Sequence, residues 1–224
     1  MSRADETFVI LDFDRTLGDT EQLFAAFMAI LAEHSELDQP ALRRAATESS
    51  QRGESFDGAA WVREQLEMTG QASVWRALKQ AFAVRTAQTD YLLPGAWELL
   101  AYLRDARVGH GILTYGGREW QEMKLAAAGL SELPTIITDD TAKGTQLRRW
   151  QQSDGTYVLP PEFGQTIRQQ LVLVDDKPLS FADAPESGIV KLCVGRAGDA
   201  VLPAGVEPVA DLIAVLHRIR HIIE

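Results

Sequence analysis

Phe8-Val9-Ile10-Leu11-Asp12-Phe13-Asp14-Arg15-Thr16-Leu17-Gly18-Asp19-Thr20 is the stretch around which the rest of the chain is arranged. Phe8 to Leu11 are apolar without alternation, the pattern of a strand buried on both faces. The run stops at Asp12, and Asp14 and Thr16 follow at steps of two. Alternate side chains of extended backbone share a face, so these three polar groups begin on one side before the chain turns. Two carboxylates this close repel unless one is protonated or a cation lies between them. The plain alternative is a strand that ends in a solvated acidic loop.

Beyond this stretch the rhythm is helical. Leu23, Phe24, Phe27, Ile30 and Leu31 recur at helical spacing, so a helix should leave the loop near Thr20. Pro40 opens a second, after a connection at 36–39. A polar break at 49–58 follows. Trp61, Val62 and Leu66, then Val74, Trp75, Leu78 and Phe82, predict two more helices. Residues 20–91 thus read as a strand-free, all-helical insertion, and Leu93-Pro94-Gly95 marks the exit from it.

From there helices and short apolar strands alternate. Strands are expected at 109–114, 135–138, 171–174 and 189–194. Helices are expected around Trp97, Leu100 and Leu103, around Trp120, Met123, Ala127 and Leu130, and around Leu212, Leu216, Ile219 and Ile223. Residues 144–170 read as a partly irregular connection with a hairpin-turn signal at Asp154-Gly155. Strands alternating with helices imply a parallel sheet covered on both sides. The fold class is therefore α/β, a Rossmann-like three-layer parallel sheet. The core comprises 1–19 and 92–224, and the helical insertion comprises 20–91.

Composition sets outer limits. The 224 residues are 46% hydrophobic and 24% charged, with a formal net charge of -10. Such an acidic balance argues against non-specific binding to nucleic acid or to an anionic membrane surface. Cys193 is the single cysteine, so neither a disulfide framework nor a thiolate metal cluster is available, and its apolar setting reads as core. The N-terminal segment has no secretory apolar region, and no apolar run reaches membrane-spanning length. The expected location is the cytoplasm. His217 and His221 lie one helical turn apart beside Arg218 and Arg220, which reads as a solvated face. Trp61, Trp75 and Trp97 read as helix anchors, because no basic stripe accompanies them.

Ligands of open parallel sheets bind beyond the carboxyl ends of the strands. In this chain those ends carry Asp12 and Asp14, Thr114, Asp139 and Asp140, and Asp175 and Asp176. If the first and last pairs meet, only a bound cation would hold so much negative charge together. All-oxygen ligation, with no imidazole or thiolate nearby in sequence, favours Mg²⁺ over zinc. The Thr114 hydroxyl, the Lys143 ammonium and the N–H groups near Gly116 and Gly117 suit the oxygens of a phosphate. Together these groups suggest phosphoryl transfer to a carboxylate.

These motifs resemble the haloacid dehalogenase superfamily on its phosphatase side. Asp12-Phe-Asp-Arg-Thr16 is similar to its first motif, Ile112-Leu-Thr114 to the second, Lys143 to the third, and Leu173-Val-Asp-Asp176 to the fourth. The resemblance covers nearly the whole chain, and the helical insertion resembles the mobile C1-type cap. It implies that Asp12 is the nucleophile and Asp14 the acid and base. It also implies that Mg²⁺ is held by Asp12, the backbone carbonyl of Asp14, and Asp176, with Asp175 assisting directly or through water. Thr114 and Lys143 would bind the transferring group. The dehalogenase branch lacks the second aspartate of the first motif, so Asp14 points to phosphate chemistry.

The chain departs from the pattern in several places. Arg15 stands where glycine is common, and reads either as a contact to a substrate's anionic group or as a partner of a surface carboxylate. Tyr115 reads as a pocket wall or as a packed aromatic. Gly144 replaces a frequent proline. Ser180 stands where many relatives place another acid, which Asp139, Asp140 or Asp183 would have to replace. The expected activity is Mg²⁺-dependent hydrolysis of a small phosphorylated metabolite through an aspartyl-phosphate. Its rivals are a phosphomutase or phosphotransferase on the same site, and a non-catalytic module that binds phosphorylated ligands. The oligomeric state is not legible from the sequence.

Overall fold

A computed structural model describes residues 2–33, 37–52, 56–195 and 201–224. Residues 34–36, with His34 and the first residue of the connection at 36–39, and 53–55 of the polar break lie outside the described residues. In chain order the elements begin with α1 (Arg3–Glu6), β1 (Thr7–Leu11), α2 (Thr20–Leu31), α3 (Gln39–Gln51), α4 (Gly58–Met68) and α5 (Ala72–Thr86). They continue with α6 (Ala96–Asp105), β2 (Gly109–Tyr115), α7 (Arg118–Ala127), β3 (Thr135–Thr138) and α8 (Lys143–Trp150). Last come β4 (Tyr157–Val158), β5 (Ile167–Arg168), β6 (Gln170–Asp175), β7 (Ile189–Val194), β8 (Val206–Val209) and α9 (Leu212–Ile223).

One compact unit comprises Met1–Gly18, Leu92–Thr114 and Leu133–Glu224. Its six-stranded sheet runs in the order β3-β2-β1-β6-β7-β8, and β1 pairs in parallel with both β2 and β6. The strands β6, β7 and β8 also pair in parallel. The chain leaves β1 toward one edge and later returns to build the other, so β1 and β6 flank the point where strand order reverses. Crevices at such points are where open α/β sheets bind ligands. All five residues of β1 are buried, as the unbroken apolar run requires.

On one face of this sheet, Phe8, Ile10, Leu113, Leu171, Leu173 and Cys193 pack with Leu147, Tyr157, Leu159 and Phe163. The Phe8 and Phe163 rings lie 5.1 Å apart, and the Tyr157 hydroxyl donates to the Ser187 carbonyl at 2.8 Å. The segment expected to be irregular is therefore ordered. It forms α8 and a two-stranded β4–β5 hairpin, whose residues cover the sheet. The sixth strand, β8, was also not expected. Its Pro208 lacks an N–H to donate, which an edge strand tolerates.

The other compact unit comprises Asp19–Tyr91 together with Tyr115–Glu132. Phe27 sits at its centre, with its ring 6.5 Å from Trp75, 5.9 Å from Phe82 and 4.8 Å from Trp120. Glu119 on α7 accepts from Arg63 Nη1 at 3.0 Å, Trp75 Nε1 at 3.0 Å and Lys79 Nζ at 2.9 Å. These contacts tie α7 to α4 and α5. Of the apolar set expected to face inward, Trp120 and Leu130 are buried and Met123 and Ala127 half-buried, while Gln121, Lys124 and Leu125 are also buried on α7. Trp75 is an anchor, but Trp97 is 50% exposed and is not one. His217 and His221 are exposed, as a solvated face should be.

Candidate active site

The β1–β6 register places Leu11 opposite Val174, so the next residues, Asp12 and Asp175, emerge side by side. The Asp12 N–H still donates to the Val174 carbonyl at 2.9 Å, which holds the first aspartate to the sheet edge. Lys143 lies between the two carboxylates. Its Nζ is 2.5 Å from Asp12 Oδ1 and 2.6 Å from Asp175 Oδ2, with the lysine 2% exposed.

Local structure fixes each partner. The turn from β3 into α8 is held by the Asp140 N–H on Thr138 Oγ1 at 3.0 Å and the Ala142 N–H on Asp140 Oδ1 at 2.8 Å. That turn makes Lys143 the first residue of α8, and buried Leu147 anchors the helix one turn later. Gly144 is required by close approach. A Cβ there would lie 2.2 Å from the Ala182 carbonyl oxygen and 2.5 Å from the Ala184 nitrogen, so the usual proline would not fit. Asp175 is oriented from its other oxygen, which accepts the Lys177 N–H at 2.8 Å.

The electrostatics follow from burial and charge. Burial pushes the Asp12 carboxyl up to about 7. Lys143 pulls it down, while Asp175 and Asp14 push it further up. Burial opposes the charge on Lys143, but Asp12 and Asp175 more than offset this and hold the ammonium above the ordinary lysine range. Burial raises Asp176 to about 6, with Asp175 adding to the rise and Lys177, Lys143 and Arg15 opposing it. Carboxylates that resist ionisation so close together form a site that gains from a cation.

Asp12, Asp175 and Asp176 each offer an oxygen, and these oxygens lie within 4.8 Å of one another. Among the described residues, Asp139, Asp140 and Asp183 do not join this group. Asp140 instead shapes the turn before α8, and the Asp183 carbonyl accepts from Arg148 Nε at 2.7 Å. At these strand ends Asp176 Oδ1, Thr114 Oγ1 and Thr16 Oγ1 are buried without a hydrogen-bond partner among the described residues. A buried polar atom without a partner is costly. A hard cation fits the first, and oxyanion or water oxygens fit the two hydroxyls.

Most of the expected site residues belong to these strand ends of one compact unit. Asp12, Asp175, Asp176 and Lys143 meet directly, and Asp14 is near enough to raise the Asp12 carboxyl. Thr114 is fully buried near the end of β2. Arg15 follows Asp14 in the left-handed conformation, φ 60°, and is exposed. That conformation explains why glycine is common at this position. Tyr115 is half-buried, its carbonyl accepting from Gln121 Nε2 at 2.8 Å, and it belongs to the helical unit. Thr16 was placed with the aspartates by its spacing, but that its hydroxyl is buried without a hydrogen-bond partner among the described residues was not expected. Nor was the Asp175 contact to Lys143, which spans 32 positions of sequence.

The family model for haloacid dehalogenase-like hydrolases matches residues 9–146, more than half of the chain. The protein belongs to this family. Solved structures with the same architecture include a protein named as a haloacid dehalogenase-like hydrolase from Burkholderia xenovorans LB400. It is 17% identical, with TM-score 0.69, over 98% of this chain and 99% of that one. The hydrolase YfnB from Bacillus subtilis, solved bound to magnesium, is 14% identical with TM-score 0.54 over 98% of both chains. A protein named as a β-phosphoglucomutase from Thermotoga maritima is 15% identical, with TM-score 0.56, over 96% of this chain and 99% of that one. At these identities the likeness establishes the fold. No curated protein sequence matches the chain. Among the described residues, no helix is long and apolar enough to cross a membrane.

Proposed function

We propose that this family member is a Mg²⁺-dependent phosphomonoester hydrolase acting on a small phosphorylated metabolite through an aspartyl-phosphate on Asp12. The observation that carries the reading is the contact of buried Lys143 with Asp12 and Asp175, beside the unpartnered oxygens of Asp176 and Thr114. Asp12 is pinned at the sheet edge with one face of its carboxylate neutralised, as a positioned nucleophile needs.

Asp12, Asp176 and Asp175 would hold the metal, with the Asp14 backbone carbonyl as the further ligand that the family resemblance implies. Bound Mg²⁺ would supply the positive charge that keeps Asp12 ionised and offsets charge on the phosphoryl oxygens. An ionised Asp12 oxygen attacks phosphorus, and the bond from phosphorus to the ester oxygen breaks. Asp14 gives its proton to the departing alkoxide. Asp14 then takes a proton from water as that water attacks the aspartyl-phosphate. The bond from phosphorus to Asp12 breaks, and inorganic phosphate leaves. Thr114 and Lys143 hold the phosphoryl oxygens through both steps.

The helical insertion is read as a cap. A capped site favours a small soluble ester over the surface of a phosphoprotein. Phosphate release from a panel of phosphomonoesters, with and without Mg²⁺, tests the reading. Mg²⁺-stimulated release is expected. No release from any ester would instead favour a binding module, and transfer of phosphate to a sugar hydroxyl would favour a phosphotransferase.

A further inference from the structure

Three cations lie around the carboxylate cluster, and they are of two kinds. Lys143 is buried, with its ammonium engaged by Asp12 and Asp175. Arg15 and Lys177 are exposed. They stand on the two loops that leave β1 and β6, one residue beyond Asp14 and Asp176 respectively. The loops hold both in place. The Arg15 N–H donates to the Gly18 carbonyl at 3.0 Å, and the Lys177 N–H donates to Asp175 Oδ1 at 2.8 Å. Both charges reach Asp176, whose carboxyl they hold down against burial and the Asp175 charge.

Arg15 has a further feature. It adopts φ 60°, a backbone conformation open to glycine without strain and unfavourable for a long side chain. Strain of this kind, held beside reacting groups, points to a side chain that is needed there. A guanidinium presents a planar fork that matches a carboxylate or phosphate, and an ammonium adds a mobile point charge. In a chain of formal net charge -10, two exposed cations on the loops leaving adjacent strands also bias the local field toward anions.

We propose that Arg15 and Lys177 form a second anion subsite at the rim of the site. The leaving portion of the substrate then carries an anionic group of its own, a carboxylate or a second phosphate. The proposal rests on the phosphatase reading of the carboxylate cluster.

The test compares propyl phosphate with its analogue bearing a terminal carboxylate and its analogue bearing a terminal phosphate. kcat/KM is measured with Mg²⁺ for the native protein and for the Arg15→Gly and Lys177→Met variants. The native protein should favour at least one anionic-tailed ester, and the better of the two names the group. Each variant should lose about tenfold of that preference, the worth of one charge-assisted hydrogen bond. Arg15→Gly should melt at or above the native temperature, because glycine relieves the left-handed residue. No preference in the native protein, or an equal fall for all three esters in the variants, would overturn the proposal and leave the two cations as neutralisers of Asp176. If none of the esters turns over, the phosphatase reading fails separately. The subsite is then judged by calorimetric binding of propyl phosphate and its phosphate-tailed analogue in the presence of Mg²⁺. A tighter analogue whose advantage Arg15→Gly removes supports it, and equal affinities refute it.

Discussion

Lys143→Met keeps most of the length of the side chain and removes its charge from between Asp12 and Asp175. Both contacts are short, 2.5 and 2.6 Å, and all three groups are buried. At an effective dielectric of 20, unit charges 4 Å apart attract by about 4 kcal/mol, so each contact carries at least that gross energy. Much of it offsets the cost of taking three charges out of water. What the variant exposes is therefore the cost of leaving two carboxylates buried without their cation, about 3–5 kcal/mol. For a chain of this size that corresponds to a fall in melting temperature of roughly 6–20 °C. Differential scanning calorimetry in chelator measures it. Added Mg²⁺ should then raise the variant's Tm more than the native protein's, because carboxylates that have lost their ammonium bind a cation more tightly. A loss below about 1 kcal/mol, the range of an exposed ion pair, would refute the buried triad.

Asp176→Asn should weaken Mg²⁺ binding and activity together, since it removes one charged oxygen from the group formed with Asp12 and Asp175. Calorimetric titration of Mg²⁺ into both proteins checks this, and unchanged affinity would remove Asp176 from the metal's ligands. Glu119→Gln should cost about 1 kcal/mol at neutral pH, because the two cations on this carboxylate are partly solvated and the glutamine keeps an oxygen for buried Trp75. Burial pushes Glu119 up, but the hydrogen bonds from Lys79 and Trp75 and the Lys79 and Arg63 charges hold it below the ordinary glutamate value. A lowered native pKa gives stability that is present above the unfolded value of about 4.3 and lost as pH falls through the native one. Urea midpoints of the two proteins should therefore differ at pH 7 and converge in acid below the glutamate range.

Much of this architecture is legible in local sequence. Phe8 to Leu11 is unbroken because β1 is covered on both faces, and the strand ends where Asp12 begins. The helices of the insertion announce themselves through Phe27, Trp75 and Phe82, large apolar residues at helical spacing. α8 does not, since Leu147 is its only buried large apolar residue, and one anchor makes no period. β8 was hidden by Pro208, which ordinarily argues against a strand and is tolerated only because β7 is its single neighbour. The turn signal at Asp154-Gly155 was visible, but that turn bridges Gln151 to Tyr157 ahead of β4, whereas the β4–β5 connection runs through 159–166. The packing of Tyr157, Leu159 and Phe163 against Phe8 was not, because it depends on contacts across the whole unit. The same is true of the site. Motif spacing brought Asp12, Asp175 and Asp176 to neighbouring strand ends, but the pairing of Lys143 with Asp12 and Asp175 depends on the β1–β6 register and the turn before α8.

The central claim is that Asp12 becomes phosphorylated and that Asp14 moves the proton in both steps. Asp14→Asn cannot exchange that proton, so turnover of an ordinary ester should fall by about 10²–10⁴-fold. With an activated ester whose leaving group needs no proton, the first step should recover more than the second, and phosphoenzyme should accumulate. The direct measurement is intact and peptide mass spectrometry after acid quench of Asp14→Asn with such an ester and Mg²⁺. The account predicts one added phosphoryl group, located on the peptide that carries Asp12 and absent when Asp12 is also changed to Asn. Turnover at the native rate with no added mass, or a phosphoryl group on any other residue, would contradict it.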